Sequence, residues 1–289
     1  MLDTTWRRLL ALPLILLIAT LAFAAACNDD DDGGDSETAT PTQAADGIDI
    51  SGVPELADGV LSIGSDIAYA PFEFYEEGTE TADGVDIDLA KALAAALGVE
   101  AEFINTGWDG IIPALESDDF DALMSAMTIT DERSEVIDFV AYITVGTGIV
   151  VPAGNPDGVT ELADLCGKTV AVQIGTIQVD MLEAQNDDCT DKIEIIVFDT
   201  NPLAVEDLRT GGSDANFSDF PVAAEDAAKS DGDLEVVNTQ IAPEPYGIGI
   251  RKGSTELKGV LEDAMQAIID DGTYASILAE WDLAAITLQ

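Results

Sequence analysis

From Gly59 onward, short runs of β-branched and apolar residues alternate with longer Ala- and Leu-rich stretches whose apolar positions recur at helical spacing. The short runs at 60–64, 122–127, 169–173, 193–198 and 247–251 are too brief for helices and too apolar for surface loops, so they predict buried strands. Residues 86–97 carry Ile87, Leu89, Leu93, Ala96 and Leu97 on their apolar positions and meet Gly98, the pattern of a helix and its stop. Further helices are predicted at 109–116, 131–137, 178–184 and 256–271, the last with Val260, Leu261, Ala264, Ile268 and Ile269 on one face. Strand and helix in alternation predict βαβ units and a mostly parallel sheet, so the fold class is α/β. No internal repeat suggests a solenoid.

The N-terminal region breaks this rhythm. Arg7 and Arg8 precede an uncharged, Leu- and Ala-rich run that ends at Cys27, and a string of aspartates follows at once. A basic flank, an apolar core and small residues before a cysteine predict an export signal over 1–26. Ala24-Ala25-Ala26-Cys27 resembles a bacterial lipobox, which implies a diacylglyceryl group on Cys27 and a membrane anchor. Residues 27–57 are acidic and poor in apolar side chains, the composition of a disordered tether. Within it Asn28, Asp30, Asp32 and Gly33 imitate the start of an EF-hand loop, but position 39, where the chelating Glu belongs, is Ala. No metal and no cofactor is expected.

The chain holds 57 acidic residues against 11 basic ones and no histidine, a formal charge of −46. So large an excess repels nucleic acid and anionic headgroups and fits a surface adapted to saline surroundings. Cys166 and Cys189 remain as an even pair in an exported chain and predict a disulfide, with loop closure contributing roughly 3 kcal/mol. A catalytic thiol is the weaker alternative, because no histidine is present to act as its base.

Arg133 closes the run Met127-Thr128-Ile129-Thr130-Asp131-Glu132-Arg133. A scarce planar guanidinium directly after a buried strand suits a bidentate grip on a carboxylate. Alongside it stand Asp66-Ile67-Ala68-Tyr69-Ala70-Pro71-Phe72-Glu73-Phe74, Gly84-Val85-Asp86-Ile87-Asp88-Leu89-Ala90, Trp108-Asp109-Gly110-Ile111-Ile112-Pro113-Ala114-Leu115, the stretches 167–178 and 245–253, and Asp271-Gly272-Thr273-Tyr274 with Trp281. In this order and spacing the chain from 59 to 289 resembles the family 3 extracellular solute-binding proteins, the polar amino-acid receptors of ATP-binding-cassette importers.

That resemblance implies two α/β lobes of the type II periplasmic-binding-protein-like fold, each a mostly parallel sheet flanked by helices, joined by two hinge crossings. Lobe one would be 58–146 with 244–289, and lobe two 147–243. It implies a clamp on a ligand α-carboxylate by Arg133, Thr128 and the N–H groups around Thr176. Asp219, helped by a backbone carbonyl near Ala126, would take the α-ammonium. Tyr69 and Trp108 would sandwich the ligand side chain, with Asp66, Glu73 and Gln178 near its polar end. Matching both charges of a zwitterion offsets its desolvation and makes closure depend on ligand. Departures from the family pattern are Ile177 in place of a hydroxyl residue, the small Val85, and Ala141-Tyr142-Ile143-Thr144 at the first crossing. The function implied is an envelope-anchored, monomeric receptor for a polar or basic amino acid, serving a permease and an ATPase. The alternatives are an enzyme of the same fold, such as a cyclohexadienyl-dehydratase-like protein, and a ligand-sensing module.

Overall fold

The protein is described from a computed structural model over residues 47–237 and 240–286. The export-signal, Cys27 lipidation and EF-hand readings fall on residues outside that range.

In chain order the first part contains β1 (Val60–Ser65), β2 (Phe74–Tyr75), β3 (Ala82–Asp83), α1 (Val85–Leu97), β4 (Glu100–Asn105), α2 (Ile111–Glu116), β5 (Ala122–Leu123), α3 (Asp131–Val136) and β6 (Ile137–Pro152). The second part contains β7 (Thr169–Gln173), α4 (Ile177–Asp188), β8 (Glu194–Phe198), α5 (Asn201–Arg209), β9 (Ala215–Asp219), α6 (Phe220–Lys229) and β10 (Leu234–Val236). The chain then returns through β11 (Ile241–Arg251), α7 (Thr255–Asp270) and α8 (Thr273–Glu280).

β1 pairs in parallel with β4 and β5 in one lobe, and β7 pairs in parallel with β8 and β9 in the other. The sheets of the two lobes run on into one nine-stranded sheet in the order β4-β1-β5-β11-β6-β9-β7-β8, with β10 on β6. The reason is the length of β6 and β11: these antiparallel strands carry the hydrogen-bond ladder from one lobe into the other. The expected boundaries near 146 and 244 fall inside them. Gly146 lies where a Cβ would stand 2.7 Å from the Ile241 carbonyl, so close backbone approach between the two crossings calls for glycine there.

Lobe one is built around Leu61, Ile63, Phe72, Leu89, Leu93, Tyr142, Tyr246, Leu257 and Leu261. Lobe two has its own core of Ile149, Val170, Val172, Leu182 and Phe217. The segment 47–57 corrects the tether prediction in part: Val53 and Leu56 are buried and Ile48 and Ile50 pack beside them on the lobe-one core. Four apolar side chains within nine residues outweigh the acidic composition once a core is there to receive them.

The strand predicted at 122–127 is buried throughout, yet only Ala122–Leu123 pair as a strand. Beyond them the chain turns at Ala126, whose φ is 47°. The helix predicted at 109–116 opens instead with a 3-10 turn at Trp108–Gly110. Cys166 and Cys189 form a disulfide with Cα atoms 5.4 Å apart, tying the turn before β7 to the end of α4.

Candidate functional site

A cavity lies between the lobes. Its walls come from the carboxyl ends of the parallel strands, the place where open α/β sheets collect ligands. Asp66 follows β1, Ser125, Ala126 and Thr128 follow β5, Gln173 ends β7 and Thr176, Ile177 and Gln178 follow it, and Asp219 ends β9. Tyr69, Glu73, Trp108 and Arg133 complete the lining. Thus every ligand-site residue predicted from the sequence lies on this one cavity, and Ser125 and Gln173, which sequence reasoning did not single out, lie there too. Their strand-end positions were the available signal.

Arg133 is placed by a helix start. Thr130 caps α3 by accepting from the Arg133 backbone N–H at 3.1 Å. The preceding residues are pinned to β11, with the Gly247 N–H donating to Met127 O and the Ile129 N–H to Pro245 O. From this base the guanidinium donates through Nη1 to Thr128 O at 2.8 Å and through Nη2 to Gly175 O at 3.2 Å, the latter in the other lobe. It stands 5.3 Å from the Trp108 ring centre, a cation–π distance. Trp108 Nε1 donates to the same Gly175 carbonyl at 3.0 Å. Gly175 has a φ of 68°, which frees its carbonyl for both donors. Burial pulls the Arg133 pKa down, opposed by the charges of Asp219 and Asp180.

Asp219 is the facing acid. Tyr69 Oη donates to one of its oxygens at 2.8 Å and Gln178 Nε2 to the other at 2.8 Å. Burial raises its pKa to about 6 despite those donors and the nearby Arg133. Asp66 is also raised by burial, while Gln173 Nε2 at 2.8 Å and the Trp108 N–H favour its charged form. Hydrogen bonds Asp66–Gln173, Tyr69–Asp219 and Arg133–Gly175 therefore all cross from one lobe to the other.

The remaining predicted residues take specific stations. Thr176 precedes the first turn of α4 and its hydroxyl donates to Gln173 O at 2.8 Å. Free N–H groups at a helix start are suited to an anion. Ile177 occupies the wall beside it with an apolar side chain. Glu73 is fully buried, and its Oε1 accepts from Ser125 Oγ at 2.7 Å, so that oxygen already has a protein partner. Tyr69 belongs to the lobe-one core by its ring and to the cavity by its hydroxyl.

Residues 61–284 match the family described as bacterial extracellular solute-binding proteins, family 3. The chain is 32% identical over 231 residues to the L-cystine-binding protein TcyJ of Escherichia coli (strain K12), covering 79% of this chain and 85% of that one. It is 31% identical over 226 residues to ABC transporter arginine-binding protein 1 of the same strain, covering 76% and 90%. Among solved structures it is similar to the ancestral amino acid-binding protein AncCDT-1, a precursor of cyclohexadienyl dehydratase, at 38% identity and a TM-score of 0.73, covering 80% of this chain and 98% of that one. An ancestral arginine-binding protein bound to arginine gives 36% identity and the same TM-score over 77% and 98%. Fold, cavity and sequence agree, and the chain belongs to the bacterial extracellular solute-binding proteins, family 3.

Proposed function

We propose that the protein is the lipid-anchored, extracytoplasmic binding component of an amino-acid importer of the ATP-binding-cassette class, closing its lobes on the zwitterion of a polar or basic amino acid. The observation that carries this reading is the pairing of Arg133 with Asp219 on one small cavity between the lobes. A zwitterion leaves water without large loss only where each end meets an opposite charge. Arg133, Thr128 and the start of α4 suit its carboxylate, and Asp219 suits its ammonium. Asp66, Gln173 and Gln178 then face the ligand side chain, which favours a hydrogen-bonding or cationic group. Relatives named for cystine, arginine and histidine support the same class of cargo.

Lobe one is taken as 58–146 with 244–289 and lobe two as 147–243, with Cys27 as the acylated residue and a monomer as the working form. A permease and an ATPase are the partners. Binding without turnover is the reading favoured here: Asp219 accepts from Tyr69 and Gln178 and Asp66 accepts from Gln173, which hold them as acceptors.

Thermal unfolding of residues 47–289 against each of the twenty amino acids at millimolar concentration tests the proposal. A ligand that binds only the folded state raises the midpoint with the logarithm of its concentration over Kd. A shift of several degrees for one chemical group of amino acids is expected. No shift with any of them, in folded protein, would overturn the amino-acid assignment, and new products in the incubated samples would favour an enzyme.

A further inference from the structure

A pair of acids, Glu73 on the cavity wall and Asp86 beyond its lining, is left unexplained by ligand recognition. Glu73 and Asp86 are both buried, at 0% and 1% exposure. They arrive together through backbone bonds: the Asp86 N–H donates to Phe72 O at 2.9 Å and the Val85 N–H to Pro71 O at 3.0 Å. Gly84 makes this possible, since its φ is 129° and a Cβ would stand 2.1 Å from the Phe72 carbonyl.

Each carboxyl uses one oxygen on the turn after β5. Asp86 Oδ2 accepts from the Ala126 N–H at 2.7 Å and from Tyr142 Oη at 2.8 Å. Glu73 Oε1 accepts from Ser125 Oγ, which in turn accepts from the Asp66 N–H at 3.0 Å. The other two oxygens, Glu73 Oε2 and Asp86 Oδ1, are buried and have no donor among the described residues. The Asp86 charge bears on Glu73 at close range, and two neighbouring carboxyl groups, each with a buried oxygen that lacks a donor, satisfy both oxygens only with a proton between them.

We propose that Glu73 and Asp86 hold one proton between Glu73 Oε2 and Asp86 Oδ1, and act together as positioning residues for the Ser125–Ala126 turn that floors the cavity. The pair fixes Ala126 in its left-handed conformation and orients the Ser125 hydroxyl toward the Asp66 backbone. Two bare carboxylates in this place would repel each other without water to screen them. The groups facing the pair reinforce this: Asp66 is an acid, Tyr69 and Tyr142 are phenols, and Ser125 is neutral. Burial first, then the Asp86 charge, raises the Glu73 pKa, and burial raises that of Asp86 to about 7. The proton therefore resides on Glu73, with Asp86 as its acceptor. The proposal depends on the amino-acid reading only for the purpose the turn serves.

The test uses the protein without added amino acid. Infrared spectra at pH 8 should show the C=O stretch of an un-ionised carboxylic acid, lost in E73Q and retained in D219N. In parallel, the Ala126 amide signal in nitrogen-15 NMR should move with pH as the pair titrates, and its alkaline component should vanish in E73Q. That variant keeps a donor for Asp86 and an acceptor for Ser125, so it should melt within a few degrees of the wild type, whereas E73A should melt well below it. Absence of the acid band at pH 8, or its persistence in E73Q, would overturn the shared proton. An Ala126 signal that titrates identically in wild type and E73Q would overturn the positioning role. Failure of every amino acid to shift the melting midpoint would instead overturn the receptor reading and leave both spectroscopic signals in place.

Discussion

Arg133 and Asp219 show how much a single side chain depends on what surrounds it. Arg133 presents a planar fork held by Thr128 O, Gly175 O and the Trp108 face. A lysine offers a point charge on a flexible stem and cannot reproduce two parallel donors. Replacing Arg133 with Lys should weaken amino-acid binding by more than about tenfold, or about 1.4 kcal/mol, in calorimetric titration. Near-wild-type affinity would move the carboxylate site elsewhere. Asp219 adds a pH dependence. It must be ionised to hold an ammonium, and burial has raised its pKa to about 6, so affinity should be full at pH 8 and fall as pH drops through that value. D219N should bind weakly at both pH values and lose the dependence; a D219N curve parallel to the wild type would remove Asp219 from the site. The identities of these two residues were readable from motif and scarcity. Tyr69 and Gln178 were also named, but that both donate to Asp219 follows only from where their distant segments lie.

At the level of elements, local patterns carried well where one face of a segment decides its state. Helix α1 ends where expected because Gly98 takes a φ of 74° and its N–H closes on Ala94 O and Ala95 O. Strand β7 coincides with its predicted run, being buried between two neighbours. The 122–127 run was legible as buried but not as a turn, because its backbone donor is taken by the Asp86 side chain rather than by a strand. Helices α5 and α6 and strand β9, which presents Asp219, were not foreseen; at 9, 10 and 5 residues each is too short for a decisive period. The disulfide belongs to this scale too. It clips α4 to the turn before β7, so the C166S/C189S double variant should lose about 3 kcal/mol in urea denaturation. Uptake of two alkyl groups by unreduced protein, read by intact mass, would show the cysteines free instead.

For the whole molecule, charge and topology set the terms. Asp219 and Asp226 have pKa values raised to about 6 and Asp86 to about 7, each chiefly by burial. A carboxyl whose pKa is raised by folding stabilises fully below its unfolded value and loses that contribution as pH rises through the folded one. Asp49, Asp138, Asp164 and Asp271 are shifted down, so their stabilisation falls away only below the ordinary carboxylate range. Between pH 5 and pH 8 the first group governs, and self-repulsion of a chain at −46 acts in the same direction. The unfolding midpoint without amino acid should fall from pH 5 to pH 8, and added salt should recover part of the loss. A midpoint that rises over that interval would show that these buried acids are not raised. From the sequence alone came the α/β class, the even cysteine pair, the family and most residues that line the cavity between the lobes, because each rests on local periodicity or on motifs in a fixed order. Only the tertiary structure decided that β6 and β11 join the lobes into one sheet, that Gln173 meets Asp66 across the cleft, and that Glu73 faces Asp86. Those pairings depend on where remote segments lie in space, and burial then changes the chemistry of side chains whose identity was known from the start.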